Sequence, residues 1–488
     1  MNSPSDLGSA LDHRSSGDRR GAVSAQEKLI ALSLGDAIPG PIGEVLARMA
    51  DLPFVESVLA LPDVHWKSQM EVPSSISVTT RDMVVPEFTS MAVNDGMGVV
   101  RTGLTVGEMS AERLEAFFTR VNSHAAVNFY DTNRYSISPD ELRRVLFEGA
   151  QGLLSRYGMD ESMLERIEDR GRYPSANLGS GSLAELVPFQ MMTKFSRSEM
   201  GLNFGGNHFL EVQVVDEVFD TEVARRWGFE RGQVVVMYHL GPGPLGGTLL
   251  NHYSRRTKLP PARVPLFFLS KLLFHYVQRM GRGSLGKKWG THFRQNGWTP
   301  IPASSDEGIL IRRAMAMAIN YGFGYRLGTI RAIWDGLHEA ISPSLPHDLF
   351  CDITHNGAAE TSSPQGLSWV ARHNACPLEP GKPTIVAGSC DVASYLGIAE
   401  GGADPRLNSY DHGAGNLIEH YRESGRLEQA PGAVMRFRMT RGRNATLTSR
   451  KEIPLRTSEP IDRLMRCFSE HGMMRPVLKL RPLGNLKN

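Results

Sequence analysis

Short β-rich runs that end near glycines and alternate with helical segments constrain the fold of this chain most strongly. The runs cover residues 55–61, 75–80, 208–215 and 234–239. The chain contains 49 glycines, many of them clustered where such a run ends. Helices and short strands joined by glycine-bent corners are typical of layered domains whose loops carry the site. The sequence therefore predicts an α+β fold with mixed sheets flanked by helices.

Two helix starts are marked by capping residues. Ser24 and Glu27 have the spacing of a capping box, so ordered structure is expected to begin at residue 24. Ser138 as N-cap, Pro139 at the first helical position and Glu141 at the third predict a second, sharper helix start. Residues 1–23 are polar and aperiodic, and they are predicted to be a disordered tail.

Length and composition set wider limits. With 488 residues the chain is expected to form one large domain or two fused ones. The net charge of +2 does not by itself demand a nucleic-acid partner. Four cysteines without CxxC spacing argue against a disulfide framework or zinc ribbon and favour a reducing cytoplasm. No feature indicates an oligomeric state.

The most apolar stretch, residues 264–280, is interrupted by Lys271, His275 and Arg279. It is too short and too charged to span a bilayer, so no membrane partner is expected. The sequence predicts that this stretch is a buried helix of a soluble protein.

Five histidines each end an apolar run or stand beside asparagine or small residues. They are His65, His208, His239, His355 and His412. Imidazole is a common metal ligand because one ring nitrogen coordinates while an acceptor holds the other. A single histidine of this kind is more often structural, and the spacing matches no HExxH helix. No P-loop signature GxxxxGK[ST] is present. From the residues alone, metal binding stays an open hypothesis.

The order of these segments resembles the RtcB family of GTP-dependent ligases, which join RNA 3′-phosphate and 5′-hydroxyl ends. The resemblance runs from about residue 59 to the C-terminus. Its most specific parts are Gly-Gly-Asn-His-Phe-Leu-Glu at 205–211, His-Gly-Ala-Gly at 412–415 and Arg-Pro-Leu-Gly-Asn-Leu-Lys at 481–487. The run from Gly388 to Tyr395 resembles the family's Gly-Ser-Met segment. The resemblance implies one large ligase domain over residues 24–488.

The resemblance also implies roles for individual residues. His412 is implied to attack the α-phosphate of GTP and form a covalent guanylate, which passes to the RNA 3′-phosphate. His208, His239 and His355 are implied to hold a divalent metal, Mn²⁺ or another ion. Asp95, in the departing metal motif, is a further candidate ligand that would compensate in part. The residues that fall where the family binds GTP are Asn207, His208, Phe209, Leu210, Glu211, His355, Asn356, Ala387, Gly388, Ser389, Cys390, Ser394, His412, Gly413, Ala414, Gly415 and Lys487.

The chain departs from the family at its metal motif, Asp-x-Gly-Cys-Gly, whose thiolate bridges two ions. Here the motif reads Asn94-Asp95-Gly96-Met97-Gly98. A neutral thioether is a poor ligand for hard divalent ions, and asparagine offers only an amide oxygen. Asp95 is expected to point elsewhere unless its loop rearranges. We therefore expect a weakened site in which at most one metal is well bound.

Other departures remove charged groups from the phosphate site. Leucine, glycine and proline fill residues 240–244, where the family carries serine and arginine, and Asn416 stands where arginine usually follows His-Gly-Ala-Gly. The glycine-rich stretch after His65 is replaced by Trp-Lys-Ser-Gln-Met at 66–70. Arginine makes bidentate phosphate contacts that asparagine and lysine do not reproduce. This pattern favours altered activity over complete loss.

Two basic segments are candidate RNA surfaces. One contains Arg436, Arg438, Arg441, Arg443, Arg450, Lys451 and Arg456. The other contains Arg282, Lys287, Lys288 and Arg294, with Trp289 and Phe293 available for stacking on bases. The plain alternative is that both are solvated surface.

The leading hypothesis is a GTP- and metal-dependent RNA ligase that binds RNA ends, as in tRNA splicing or RNA repair. One rival is a catalytically impaired paralogue that binds RNA ends or nucleotide without ligation, which Asn94 and Met97 favour. Another is a hydrolytic end-processing enzyme that uses the metal alone. His412 and Lys487 favour the ligase.

Overall fold

The computed structural model describes the chain from Ser24 to Lys487 with several gaps. The gaps are residues 36–37, 68–69, 124–131, 174–182, 190, 193–195, 199, 203, 205, 242, 255–263, 279–284, 294–296 and 442–446. The N-terminal residues 1–23, predicted to be a disordered tail, lie outside the described residues.

Eighteen strands are described. They are β1 (Leu29–Ala31), β2 (Val55–His65), β3 (Ser74–Arg81), β4 (Met83–Val84), β5 (Gly96–Thr105), β6 (Phe209–Val218), β7 (Gln233–Leu240), β8 (Ile301–Pro302), β9 (His347–Thr354), β10 (Asn356–Ser363), β11 (Gly366–His373), β12 (Ala375–Pro377), β13 (Pro383–Val386), β14 (Ser394–Ala399), β15 (Ser409–Asp411), β16 (Gln429–Arg441), β17 (Leu447–Arg456) and β18 (Met474–Lys487).

Fourteen α-helices accompany these strands in the described residues. They are α1 (Ala25–Lys28), α2 (Gly40–Ala50), α3 (Ala111–Asn122), α4 (Pro139–Glu148), α5 (Leu154–Tyr157), α6 (Leu183–Leu186), α7 (Ser196–Ser198), α8 (Thr221–Trp227), α9 (Gly243–Tyr253), α10 (Val264–Leu273), α11 (Leu285–His292), α12 (Asp306–Ala340), α13 (Gly415–Glu423) and α14 (Glu459–Glu470).

A nine-stranded sheet is the centre of the fold. Its main path runs β13-β14-β18-β6-β7-β5-β9, and every neighbouring pair on this path is antiparallel. The hairpin of β16 and β17 joins this sheet through parallel pairing of β16 with β18. A five-stranded sheet of order β1-β2-β3-β11-β10 lies beside it, and there only β1 and β2 are parallel.

Both faces of the nine-stranded sheet are buried, because successive side chains of a strand point to opposite faces. On one face Val100, Val212 and Val236 belong to the core that includes the long helix α12. On the other face Val99 and Met237 belong to a second core, which includes residues of α13 and α14. The central strands β5, β6 and β7 are therefore held from both sides, and their ends are a rigid base for a site.

The predicted α+β class is confirmed, with mixed sheets flanked by helices. All four predicted β-rich runs lie almost entirely within strands, namely β2, β3, β6 and β7. The capping box of Ser138 and Glu141 is present at the start of α4. Ser24 and Glu27 also bond to one another, but the helix they begin has only four residues before β1 follows.

The predicted buried helix at 264–280 is helical over 264–278, but the prediction of which side chains it buries is wrong. In α10 and the π-helical turn Phe274–Gln278, the apolar Leu266 and Val277 are 73% and 61% exposed, whereas Lys271 and His275 are buried. Lys271 donates to the carbonyls of Asn251 and Ser254, at and just beyond the end of α9. Carbonyls at a helix C-terminus favour basic partners, so the polar face of α10 turns inward.

In the part of the chain that the structure describes, every helix falls short of the length or the apolarity that a membrane crossing requires.

Candidate active site

All four predicted metal-binding residues lie at one edge of the nine-stranded sheet. Asp95 immediately precedes β5, and His208 immediately precedes β6. His239 lies near the end of β7, and His355 directly follows β9. Because these neighbours are antiparallel, the starts of β5 and β6 lie beside the ends of β7 and β9. Residues that are far apart in the sequence therefore meet at this edge.

The three histidine side chains converge on the Asp95 carboxylate. The Nε2 atoms of His208 and His355 lie 3.2 Å and 3.6 Å from its Oδ2, and Nε2 of His239 lies 3.8 Å from its Oδ1. The Nε2 atoms of His239 and His355 are only 3.2 Å apart. Asp95, His239 and His355 are buried, and His208 is half-buried. One aspartate and three imidazoles thus face a single small volume.

The loop before β5 turns Asp95, rather than Asn94, towards the histidines. Asn94 has φ 63°, in the left-handed region that asparagine tolerates. Its Nδ2 donates to the Ile319 carbonyl over 2.6 Å, so the Asn94 side chain points to α12. The backbone N–H of His355 donates to the Asp95 carbonyl over 2.9 Å. The expectation that the one-residue shift points Asp95 elsewhere does not match this loop, because Asn94 absorbs the turn.

A buried ion pair holds the same loop from behind. The Arg326 guanidinium on α12 binds both oxygens of Asp352 at 2.7–3.0 Å and donates to the Asn94 carbonyl over 2.5 Å. Tyr238 donates its hydroxyl to Asp352 over 2.6 Å. A side chain at Gly96 would meet the guanidinium at 2.7 Å, so glycine is required where the loop enters β5. These contacts fix the backbone from which Asp95 projects.

The electrostatics of this cluster suit a cation. Burial lowers the pKa of His239 and of His355, so both imidazoles are neutral near pH 7. Burial by itself would raise the pKa of Asp95, but the neighbouring His208 and His355 outweigh it, and the pKa of Asp95 lies well below its usual value. Its buried Oδ1 accepts no hydrogen bond from the described residues. An ionised oxygen without a donor, surrounded by imidazole nitrogens, fits a divalent metal.

Met97 lies beside this cluster without contributing a charge. It pairs with His239 across β5 and β7, and paired residues of antiparallel strands project to the same face. Its side chain is fully buried in the second core. A thioether therefore occupies the position next to His239.

His412 stands on the other side of the same histidines. Its ring stacks on His355 with centroids 4.3 Å apart, and a nitrogen of each of His239, His355 and His412 lies within 4.8 Å of the others. Nδ1 of His412 donates to the Asn374 carbonyl over 3.2 Å, which leaves the lone pair on Nε2. Burial holds the pKa of His412 well below its usual value. The side chain is therefore neutral and oriented, as a nucleophile would need to be.

A cavity of about 770 Å³ opens in front of His412 and His239. Ten of the residues predicted to bind GTP line it, which are Asn207, Phe209, Ala387, Gly388, Ser389, Cys390, His412, Gly413, Gly415 and Lys487. The size of the cavity suits a nucleotide. Its lining contains His239, His412 and the penultimate lysine, Lys487.

Seven of the predicted GTP contacts do not line the cavity; His208 and His355 face Asp95, and the other five support the lining or lie in the cores. Leu210 and Ala414 are fully buried in the two cores. The Ser394 hydroxyl accepts from the backbone N–H of Gly388 over 3.0 Å and so supports the lining loop. Glu211 accepts from Asn485 over 2.8 Å, and burial raises its pKa to about 8. The amide oxygen of Asn356 accepts from the Asn374 backbone over 2.8 Å, which positions the partner of His412.

Several lining residues carry charge that the sequence reasoning did not assign to a nucleotide pocket. Arg422 on α13 binds both oxygens of Asp391 at 2.9 Å and 3.1 Å, and Ser389 donates to the same carboxylate over 2.6 Å. Arg456 and Lys67 also line the cavity. Neither Arg422 nor Lys67 belongs to a periodic pattern, so only the three-dimensional arrangement reveals them.

The second basic segment offers less than was predicted. Lys288 and Phe293 are buried, 6% exposed each, so neither is available to RNA. The Lys288 ammonium donates to the His275 carbonyl, and Phe293 stacks under Trp289, which is itself 50% exposed. Arg282, Arg294 and Arg443 lie outside the described residues, as do the side chains of Lys287, Arg436, Arg438, Arg441, Arg450 and Lys451.

Comparison with known proteins agrees with this arrangement. A family model described as tRNA-splicing ligase RtcB matches residues 45–488. The tRNA-splicing ligase RtcB of Pyrococcus horikoshii is 26% identical over 420 residues, which cover 81% of this chain and 44% of that protein. The Thermococcus kodakarensis protein of the same name is 25% identical and is covered to 90%. The RNA-splicing ligase RtcB of Mycobacterium bovis is 27% identical over 91% of this chain and 99% of its own length. The chain thus spans less than half of the Pyrococcus protein.

Proposed function

The chain belongs to the tRNA-splicing ligase RtcB family, and on this premise we propose that it is an RNA ligase. It joins an RNA 3′-phosphate, or a 2′,3′-cyclic phosphate after opening, to a 5′-hydroxyl end. GTP is the co-substrate, and a divalent metal such as Mn²⁺ is the cofactor. The observation that carries the proposal is the position of His412, whose ring lies between the cavity and the Asp95 cluster.

In the proposed reaction Nε2 of His412 attacks the α-phosphorus of GTP. The N–P bond forms as the bond from the α-phosphorus to the bridging oxygen breaks, and pyrophosphate leaves with the electron pair. The RNA 3′-phosphate then attacks the same phosphorus and releases the imidazole. Finally the 5′-hydroxyl attacks the activated 3′-phosphate, loses its proton, and GMP departs. Neutral imidazole is a competent nucleophile, and it is a good leaving group when the N–P bond of the phosphoramidate breaks.

The residues around His412 support the first step. The Asn374 carbonyl holds the proton on Nδ1, so the ring presents Nε2 with its lone pair. The low pKa of His412 keeps this lone pair free at neutral pH. A divalent ion held by Asp95, His208, His239 and His355 would neutralise negative charge on the phosphates.

The lining residues around Phe209 and Lys487 support the nucleotide assignment. Phe209 offers a ring face, and Lys487 offers an ammonium, in the lining that also contains Ser389 and Asn485. Glu211 lies directly behind Asn485 and fixes its amide. Planar bases are commonly held by an aromatic face together with a few polar groups. We assign Lys487 to the guanine base and the His412 end to the phosphates.

Labelling with GTP that carries the isotope at its α-phosphate tests the proposal. The purified protein is incubated with labelled GTP and Mn²⁺, denatured, and examined for label bound covalently. Wild type is expected to retain label and His412→Ala to lose it. His420→Ala is the matched control, because His420 is an exposed histidine on α13 and is expected to label normally.

Two outcomes would overturn the assignment. One is the absence of label in wild type with every divalent metal tried, and the other is full labelling of His412→Ala. Ligation of RNA fragments with 3′-phosphate and 5′-hydroxyl ends is then measured with the same variants. Label without ligation would favour the impaired paralogue instead.

A further inference from the structure

Lys67 is a charged residue of the cavity that the proposed reaction does not yet use. It follows β2 by two residues and lines the cavity together with Asp63, His239 and His412. Its side chain is half-buried. The chain therefore places an ammonium group in the cavity that contains the nucleophile.

Two buried carboxyl groups, Asp95 and Asp63, favour the charged form of Lys67. Burial lowers the pKa of Lys67, and these two carboxylates oppose that effect. Asp95 is the centre of the metal cluster, and the oxygens of Asp63 accept from the backbone at the start of α13. The same positive charge disfavours protonation of His239, His355 and His412. These interactions reach every titratable group of the metal cluster except His208, so Lys67 acts on the site as a nearby point charge.

The charge balance of the cluster indicates what the Lys67 ammonium contributes. The described ligands are one carboxylate and three imidazoles, and Met97 adds a neutral thioether beside His239. Such a set has negative charge for one divalent ion but nothing to bridge a second. One divalent ion and one ammonium beside the Asp95 carboxylate have the same net positive charge as two divalent ions held by an aspartate and a thiolate. A nucleotide triphosphate needs that positive charge.

We propose that Lys67 is a built-in cation that binds the phosphate chain of the nucleotide beside a single metal ion and takes the place of a second ion. The proposal rests on the proposed function for the identity of the nucleotide. Lysine suits this role because its ammonium is a compact point charge with three donors.

The proposal predicts opposite effects on two ligands. An ammonium beside the cluster repels Mn²⁺, so removing it strengthens Mn²⁺ binding. The same ammonium attracts phosphate, so removing it weakens polyphosphate binding. A substitution that merely damages the cavity weakens both, and this difference separates a charge effect from a structural one.

Calorimetric titration of the full-length chain measures both ligands. The variants are Lys67→Met, Lys67→Arg and, as a control for net charge, Lys382→Met at an exposed lysine outside the cavity lining. The probes are MnCl₂ alone, sodium tripolyphosphate in EDTA, and GTP with and without Mn²⁺. Thermal denaturation checks that every variant is folded.

Lys67→Met is expected to bind tripolyphosphate about tenfold more weakly than wild type, a usual loss for one charged hydrogen bond. It is expected to bind Mn²⁺ severalfold more tightly, whereas Lys67→Arg and Lys382→Met stay close to wild type. Equal tripolyphosphate binding by wild type and Lys67→Met, or the absence of binding by wild type, overturns the proposal, as does weaker Mn²⁺ binding in Lys67→Met. If tripolyphosphate binding depends on Lys67 but GTP does not bind, the role of Lys67 stands and the nucleotide assignment fails.

Discussion

The described residues contain two clusters of three histidines, and the clusters differ in what their ring nitrogens contact. In the first cluster the Nε2 atoms of His208, His239 and His355 all face Asp95. In the second cluster His252, His275 and His292 surround the C-terminal end of α9. His275 donates to the His252 carbonyl over 2.7 Å. His292 contacts the Tyr253 carbonyl through Nδ1 and the Glu307 carboxylate through Nε2.

The difference shows that proximity of histidines does not by itself make a site. In the second cluster the backbone carbonyls of α9 and the Ser270 hydroxyl already bond the ring nitrogens. In the first cluster the rings face one another and the Asp95 carboxylate, whose Oδ2 is bonded by His208 and whose Oδ1 accepts no bond from the described residues. The first arrangement leaves coordination free for a cation, whereas the second is a satisfied structural network.

The two regions also hold their buried cations differently. Arg326, behind the first cluster, is paired with the Asp352 carboxylate, and both side chains are 1% exposed. Lys271, in the second, is held by two backbone carbonyls. Replacing Arg326 by Met leaves Asp352 buried without its partner, so we expect a loss of about 3–5 kcal/mol in the free energy of unfolding.

Chemical denaturation measures this loss. The control is Arg170→Met, because the pair of Arg170 with Glu165 is exposed and its removal is expected to cost less than about 1 kcal/mol. Equal small losses in both variants would contradict the supporting role of Arg326.

Replacing Asp95 by Asn tests the contrast between the clusters at its centre. The substitution keeps the shape of the side chain but removes the only carboxylate among the described ligands, so Mn²⁺ affinity is expected to fall by about 100-fold or more. Glu307→Gln is the matched change in the second cluster and is expected to leave Mn²⁺ binding unchanged. A fall in Mn²⁺ affinity in Glu307→Gln, with none in Asp95→Asn, would reverse the assignment.

The pH dependence of the free energy of unfolding tests the protonation state of Lys271, in the region of the second cluster. Burial lowers the pKa of Lys271 to about 7, from 10.5 in an unfolded chain. Between pH 7 and pH 10.5, Lys271 is protonated in the unfolded chain but not in the folded protein. The free energy of unfolding is therefore expected to rise with pH, by at most about 1.4 kcal/mol per pH unit. Below pH 7 the group contributes no slope. Lys271→Met is expected to remove the rise, which denaturation at pH 7, 8 and 9 would reveal.

The outcome is informative in both directions. An unchanged slope in Lys271→Met would show that Lys271 stays charged in the folded protein. Lys382→Met is a suitable control, because Lys382 is exposed and its loss is expected to leave the slope intact.

Met97→Cys gives the smallest expected effect and sharpens the account of the first cluster. A thiolate beside His239 adds a ligand that bridges cations, so we expect a second Mn²⁺ per chain and severalfold more guanylate labelling. The lost volume is expected to cost about 1 kcal/mol of stability. Met237→Cys is the matched control, because Met237 is equally buried one pair further along the same face. Equal metal content in both variants would show that the Met97 thioether does not limit metal binding.

Much of this structure is readable from the sequence, and the rest depends on distant contacts. Of the strands at the site, β6 and β7 follow from predicted β-rich runs, whereas β5 and β9 were not predicted. Motif order assigned His208, His239, His355 and His412 to one site. The direction of Asp95 was not readable, because it depends on the left-handed Asn94 and on Arg326, which is 232 residues away from Asn94. The inverted burial of α10 was missed for a similar reason. The carbonyls that bind Lys271 belong to another helix.

Anomalous diffraction from crystals soaked in MnCl₂ locates any bound metal. We expect a manganese peak within coordination distance of Asp95 and the Nε2 atoms of His208, His239 and His355, and no peak at His275 and His292. A peak at the second cluster, or none at Asp95, would contradict this expectation.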